Sequence, residues 1–528
     1  MPKITVDGNP LEVAEGRTLL QALDDAGLLM NGVDVPHYCW HPKLSIDGSC
    51  RLCQVEVEGL PKLQIACNTP VQDGMVVRTN TDRVRSAREG VMELLLVNHP
   101  LDCPICDQAG ECKLQDYAYE YGVSASRSRE PRRALKKNVS LGPTIVFDQE
   151  RCILCRRCVR FTREVSETGE LVVQGRGDHS VIETFPGVPL DNDYSMNVAD
   201  ICPVGALTTK DFRFKIRVWF LDDVPGVCTG CANGCNIHLG VANNKVYRYV
   251  PRRNDAVNDT WMCDEGRMSY TKIGAPDRMR RALVRGELGV PEACDFPVAV
   301  ASAAQRIAKV RDAKGAGAIA GIASAHATNE ELFVFRRLLE GLGAGAAGVA
   351  IPRGRADDKL IKAEKAANGA GARALGFEDA AALCEQIRSG AISGLIVLGH
   401  DALADGYLGG IDALARLDTI VALDSHASDL QRVAHVLFPT RVAAEKHGTL
   451  TNHAGRVQKV EPAVEPAFDA RSEGEVLAAL GHALGLPGFD GHFDAHEASK
   501  ALAQTVRAFA NTSLDAVGPG GAPLGSAS

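Results

Sequence analysis

The residues most able to do chemistry run Arg151-Cys152-Ile153-Leu154-Cys155-Arg156-Arg157-Cys158, with a distant partner in Cys202-Pro203-Val204-Gly205-Ala206-Leu207. Three cysteines at intervals of two residues put three thiolates on one tight loop, enough for three corners of a 4Fe-4S cube. A cysteine followed by proline is the usual form of the fourth ligand. Zinc also takes four thiolates and is the plainer alternative, but its sites more often use two separated pairs.

The same idea recurs with other spacings. Cys39, Cys50, Cys53 and Cys67 follow C-x10-C-x2-C-x13-C, four thiolates suited to a 2Fe-2S rhomb with two on each iron. His99, Cys103, Cys106 and Cys112 follow H-x3-C-x2-C-x5-C. A lone histidine is more often a packed or surface side chain. Here three cysteines need a fourth donor, and imidazole can replace thiolate on iron, raising the potential by removing negative charge. Cys228, Cys231, Cys235 and Cys263 follow C-x2-C-x3-C-x27-C and make a third 4Fe-4S cube the leading reading, with zinc on a β-ribbon the runner-up. Several clusters on one chain form a wire for electrons. No catalytic triad or phosphate loop stands out beside them.

The elements that must position these ligands are legible in outline. Residues 3–8 and 11–14 predict two strands joined by a turn, and Leu19, Leu20, Ala22, Leu23 and Ala26 predict an amphipathic helix stopped at Gly27. This opening resembles the β-grasp of plant-type ferredoxins, with a longer first gap between cysteines. Residues 83–97 predict a helix with Val84, Ala87, Val91 and Leu94 on its stripe. Residues 214–220 alternate like a strand, and 236–241 and 245–250 like a hairpin meeting at Asn243-Asn244. Beyond residue 271, strand-like runs at 318–322, 395–398 and 420–423 alternate with helical segments such as 330–340 and 475–484, predicting an α/β domain with a largely parallel sheet. Gly343 to Gly348 match a dinucleotide fingerprint as a string, but after a helix rather than a strand. The expected divisions are 1–80, 81–130, 131–213, 214–270, 271–510 and a disordered low-complexity tail at 511–528. The fold class is multidomain, α+β and α/β.

Charge is mildly acidic, with 58 Lys and Arg against 66 Asp and Glu, which argues against a general nucleic-acid binder. No apolar run approaches the roughly 18 residues of a membrane span, and no secretory signal is visible at the start. A cysteine-rich chain without export reads as metal-binding rather than disulfide-bonded. The basic stretch Arg127, Arg129, Arg132, Arg133, Lys136 and Lys137 reads as a solvated loop. Arg151, Arg156, Arg157 and Arg160 sit closer to the chemistry, where positive charge makes a cluster easier to reduce.

The strings Cys103-Pro104-Ile105-Cys106-Asp107-Gln108-Ala109-Gly110-Glu111-Cys112 and Asp200-Ile201-Cys202-Pro203-Val204-Gly205-Ala206-Leu207-Thr208 resemble signatures of the large iron-sulfur subunit of respiratory NADH:quinone oxidoreductase (complex I). That resemblance is strong over 1–270. It implies an electron-transfer subunit of the peripheral arm, between a flavin- and NADH-binding subunit and an eight-iron ferredoxin-like subunit, with quinone beyond. Electrons would enter at the Cys39 set, pass through the Cys152 set and leave through the His99 set. The set ending in Cys263 occurs only in some bacterial members, off the main path. The resemblance places the chain on the cytoplasmic side of the bacterial inner membrane, held through the complex, with no complete active site of its own.

The C-terminal half resembles molybdopterin oxidoreductases through Ala327-Thr328-Asn329-Glu330-Glu331 and Glu445-Lys446-His447-Gly448-Thr449-Leu450-Thr451-Asn452. Gly341–Lys359 contains no Cys or Ser to bind molybdenum, so a scaffold without that metal is expected. Cys294 and Cys384 read as ordinary buried thiols. The alternatives are a soluble NAD-dependent formate dehydrogenase or hydrogenase subunit, or a zinc-bound assembly platform.

Overall fold

Ile4 and Val6 alternate with exposed Lys3 and half-buried Thr5 on the first strand, Lys3–Val6, and point into a small core. Asp7 and Gly8 both have positive φ, so the chain reverses in two residues to the strand Asn9–Glu12. A computed structural model describes residues 1–29, 35–286, 289–406, 408, 410–466 and 468–525. It divides into two compact units, Met1–Leu221 and Asp222–Ser528.

In the first unit these strands join Val76–Arg78, Gln54–Val57 and Gln64–Ile65 in a five-stranded mixed sheet. The helix Leu19–Asp25 buries Leu19, Leu20, Ala22 and Leu23 in the same core, and a capping box between Thr18 and Gln21 fixes its start. The grasp-like opening is as expected, except that Ala26 lies beyond the helix and faces solvent. The helix Asp82–Leu96 is also present, but its buried stripe is Val84, Arg88 and Met92, while Leu94 is exposed. Arg88 has burial that hydropathy cannot foresee: it donates to the Gln54 carbonyl and the Tyr121 hydroxyl and lies over the Tyr121 ring.

A second small sheet orders Leu207–Thr209, Ile145–Phe147 and Val139–Ser140, and the helix Arg157–Glu164 follows directly from the triple-cysteine loop. The strand expected at 214–220 is absent. Phe214 has positive φ and Val218–Phe220 form a single 3-10 turn, because the segment bonds to a neighbouring loop instead of to a strand.

The second unit opens with the strands Asp222–Val227, Asn236–Ala242 and Lys245–Pro251, the last two joined at Asn243 and Asn244, both with positive φ. An eight-stranded sheet follows, ordered 291–294, 282–285, 436–439, 419–424, 394–398, 319–324, 346–350, 378–379. The last six strands of that order are mutually parallel. Leu395 and Val397 face one apolar cluster and Ile396 and Leu398 another, so the strand is buried on both faces, as parallel sheets require. Helices Phe296–Lys314, Asn329–Leu342 and Glu473–Ala483 cover one side. Gly343 caps the helix Asn329–Leu342 in the left-handed conformation and the strand Ala346–Ala350 follows, the reverse of a strand-to-helix phosphate loop.

The disordered tail expected from residue 511 is corrected over 511–525. Thr512, Leu514 and Val517 are buried, and Ala522–Pro523 pair with Arg456 and Val457. A few apolar anchors and one extended pair hold a Gly- and Pro-rich segment in place.

Candidate metal centres

In the first set Cys39, Cys53 and Cys67 are buried and Cys50 is half-buried. The Cys39 sulfur is within hydrogen-bonding reach of Cys50 and Cys67, and Cys53 of Cys67. These contacts split the thiols. Bonds from their neighbours hold Cys39 and Cys53 below the ordinary thiol range, while Cys50 and Cys67 are driven above it by their bonds to ionised partners and by burial. Four thiols this close cannot all ionise without a positive centre among them.

The second set has Cys106 and Cys112 buried and Cys103 exposed, with the three acting electrostatically on one another. The Nδ1 atom of His99 is buried and has no hydrogen-bond partner. Burial, reinforced by Arg151, lowers the His99 pKa to about 4, so the ring is neutral, the form that ligates metals. Arg151 also acts on Cys106 and so ties His99 to the cysteines. The displaced segment 214–220 lies here: Arg217 donates to the carbonyls of Cys106 (2.7 Å) and Pro104, and the Phe214 amide donates to Asp107 at 3.0 Å.

In the third set Cys155 and Cys158 are buried and Cys152 and Cys202 half-buried, and their charges act on one another. Burial raises all four thiols, Cys202 to about 12. The Leu154 amide donates to the Cys152 sulfur at 3.4 Å. In the second unit Cys228, Cys231, Cys235 and Cys263 all line one pocket with Gly230, Gly234 and Gly266. A β-carbon on Gly266 would lie 3.1 Å from the Cys228 sulfur and 3.2 Å from that of Cys263, so a bare backbone forms one wall. Burial lifts Cys228 to about 12 and Cys263 to about 11. The Gly266 amide and the Asn233 side chain donate to the sulfurs of Cys263 (3.3 Å) and Cys235 (3.1 Å).

Such raised thiols lose their protons only to a strongly positive group, and the all-cysteine donor sets fit iron. Among the described residues no three His, Cys, Asp or Glu side chains converge on a single point as the ligands of one ion would. A cluster's ligands hold different irons and stand further apart. One device escaped the sequence. Every cysteine loop holds a left-handed residue: Arg51, Gly110, Leu154 with Arg156, and Gly234. Glycine signals such a position, whereas Arg51, Leu154 and Arg156 give no warning. Cys294 and Cys384, expected to be buried, are partly exposed and join none of these sets.

Within the first unit the third set abuts both others. Arg160, from the helix that starts inside the triple-cysteine loop, donates to the carbonyls of Cys39, Ser45 and Cys155, and Arg157 to those of Trp40 and Ile201. Arg156 instead faces solvent. On the other side Gly205 packs against the Cys106 sulfur, and the Pro203 carbonyl lies 3.8 Å from that of Cys112. The first and second sets also meet through the buried Tyr38 ring, whose centroid is 5.6 Å from that of Tyr117.

Family models match five successive stretches. They are a 2Fe-2S iron-sulfur cluster binding domain at 2–82, the NADH-ubiquinone oxidoreductase-G iron-sulfur binding region at 88–127, and the NADH-quinone oxidoreductase subunit 3 ferredoxin-like domain at 142–208. The molybdopterin oxidoreductase Fe4S4 domain at 222–274 and molybdopterin oxidoreductase at 359–483 complete the series. The G subunit of the NADH-quinone oxidoreductase of Rickettsia conorii is 40% identical over 344 residues, 65% of this chain and 50% of that one. The mitochondrial NADH dehydrogenase [ubiquinone] iron-sulfur protein 1 of Solanum tuberosum is 39% identical over 342 residues, 65% of this chain and 45% of that one. The NADPH-Fe(3+) oxidoreductase subunit alpha of Geobacter sulfurreducens is 37% identical over 347 residues, 65% of this chain and 40% of that one. The chain spans about half the length of the curated relatives it matches.

Proposed function

We propose, from the premise that this chain is a homologue of the G subunit of NADH-quinone oxidoreductase, that it is an electron-transfer subunit of the peripheral arm of such a complex. In this reading Cys39, Cys50, Cys53 and Cys67 hold a 2Fe-2S cluster. Three 4Fe-4S clusters are held by His99, Cys103, Cys106 and Cys112, by Cys152, Cys155, Cys158 and Cys202, and by Cys228, Cys231, Cys235 and Cys263. Bound iron-sulfur clusters supply reversible one-electron sites. The chain's own residues fix the ligands, keep water from most of them, and surround them with arginine side chains.

The observation that carries the reading is the packing of the Cys152 set against both other sets of the first unit, through Arg160 at the Cys39 carbonyl and Gly205 at the Cys106 sulfur. Three redox centres in contact through a few atoms of protein make a relay. The partners in this reading are a flavin- and NADH-binding subunit on the Cys39 side and an eight-iron ferredoxin-like subunit on the His99 side. Among the described residues no helix is long and apolar enough to cross a membrane. In this reading the complex supplies attachment, at the cytoplasmic face of a bacterial inner membrane. The C-terminal domain acts as scaffold without molybdenum.

The test is metal and sulfide analysis of the purified chain, followed by co-purification from membranes with quinone-dependent NADH oxidation. Iron and sulfide without molybdenum, in a membrane complex, is the expected result, and zinc in place of iron overturns it. The isolated chain is expected not to reduce ferricyanide with NADH, since the nicotinamide site belongs to its neighbour. The similarity to an NADPH-Fe(3+) oxidoreductase subunit favours a second reading, a cluster-bearing subunit of a soluble oxidoreductase. Recovery of the chain in a soluble complex without quinone activity would select it.

A further inference from the structure

Arg151 reaches both the Cys103 loop and the Cys202 loop of two candidate ligand sets. It directly precedes Cys152 in the chain, and its side chain is only 6% exposed. Its Nε and Nη2 atoms donate to Asp102, the residue before Cys103, at 3.1 and 2.9 Å. Nη1 lies 3.5 Å from the carbonyl of Gly205, the glycine that rests on the Cys106 sulfur. Asp148 is 3.3 Å from Nε, and Lys137 bridges Asp102 (2.6 Å), Asp148 (3.6 Å) and Glu150 (2.8 Å) from the more open side. Two cations and three carboxylates are thus locked at the junction of the second and third ligand sets. Arg156, in the same loop, has a half-exposed side chain whose charge water screens.

We propose that Arg151 is a shared positioning and potential-setting residue, one buried positive charge that makes both cubes easier to reduce while Asp102 opposes it. The inference rests on the reading that both ligand sets hold cubes. A charge fixed in a poorly screened interior acts over a longer range than one in water, and net charge near a cluster is a main determinant of its potential. One guanidinium bonded toward both ligand loops therefore shifts the two centres together and leaves the driving force between them little changed. The ordinary alternative is a tie that merely holds two loops. The two roles differ in sign. If Arg151 and Asp102 were only a tie, cutting it from either end would disturb the clusters in the same way. As charges, their removal moves the potentials in opposite directions.

The experiment is redox-titrated EPR of the full chain with its clusters, comparing wild type with Arg151→Gln, Arg151→Lys, Asp102→Asn and Arg156→Gln. At a fixed potential Arg151→Gln is expected to lower the reduced-to-oxidised ratio of both cubes about tenfold, equivalent to about 59 mV for one electron. Asp102→Asn should raise both ratios, and Arg151→Lys and Arg156→Gln should stay near wild type. A shift confined to one cube, no shift with both cubes intact, or shifts of the same sign in Arg151→Gln and Asp102→Asn overturns the proposal. If Arg151→Gln loses its clusters, the sign of the Asp102→Asn shift decides. Absence of two cube signals from the iron-loaded wild-type chain would instead defeat the underlying reading.

Discussion

The sulfur of Cys106 lies where the side chain of Gly205 would be: a β-carbon built on that glycine would come within 2.1 Å of it. Gly205 does not have the left-handed backbone that usually demands glycine, so close approach is the reason for its size. At this one glycine the Cys202 loop touches the Cys106 sulfur directly, beside the Arg151 side chain that bonds to both loops.

Gly205→Ala is therefore expected to push the Cys106 and Cys202 loops apart while removing no ligand residue. Both clusters should persist by iron analysis, and electron equilibration between them should slow several-fold in freeze-quench EPR. Unchanged kinetics with intact clusters would show that electrons do not cross at this contact.

His99→Cys supplies a fourth thiolate where the structure holds a neutral imidazole with an unpartnered Nδ1. The expected outcome is a retained cube with a lower potential, because thiolate adds negative charge. An unchanged potential in redox-titrated EPR would show that His99 is not a ligand.

Lys446 is the cation of a buried triad in the second unit, donating to Glu331 and Glu473 at 2.8 Å each. Lys446→Met strips the cation from two buried carboxyl groups, Glu331 ionised, and is expected to destabilise the unit by about 3–5 kcal/mol. Hydrogen exchange across the helices Asn329–Leu342 and Glu473–Ala483 should report the loss. Adding Glu331→Gln and Glu473→Gln should recover much of it.

The same triad gives a pH dependence. Burial and repulsion from Glu331 push the Glu473 carboxyl up to about 8, above its unfolded value near 4.5. Between those values the folded chain holds the proton more often than the unfolded chain, so this group's contribution to stability falls as pH rises from about 4.5 to 8. Glu473→Gln should flatten that slope and be relatively more stable than wild type at pH 9, as read from urea midpoints.

Much of this molecule was legible because its signals are local. Cysteine intervals do not depend on packing, and the parallel strands stand out as apolar runs such as Leu395–Leu398. The misreadings share a cause, which is tertiary contact overriding local pattern. Residues 214–220 alternate like a strand, yet Arg217 and Phe214 bond to the Cys103–Cys112 loop. Helical spacing assigns Leu94 to the buried face, yet that face buries Arg88 because Tyr121 and the Gln54 carbonyl receive it. The tail at 511–525 has a disordered composition but places Leu514 and Val517 in the interior. The roles of Gly205 and Arg151 depend on loops about 50 to 100 residues apart, which no single-chain pattern reveals.

The segment that covers the Cys103–Cys112 loop, together with Gly205, is made long after the loop itself. A ribosome adding roughly 5–20 residues per second needs roughly 5–20 s to pass from Cys112 to Phe220. For that interval the nascent chain presents His99, Cys103, Cys106 and Cys112 bare, without Arg217, Trp219 or the Cys202 loop above them. In the reading proposed above, a cluster inserted before that point would sit on a loop without the bonds that Arg217 makes to the Cys106 and Pro104 carbonyls. On that reading the late place of residues 214–220 in the chain puts completion of the loop's hydrogen bonding after translation has passed Phe220.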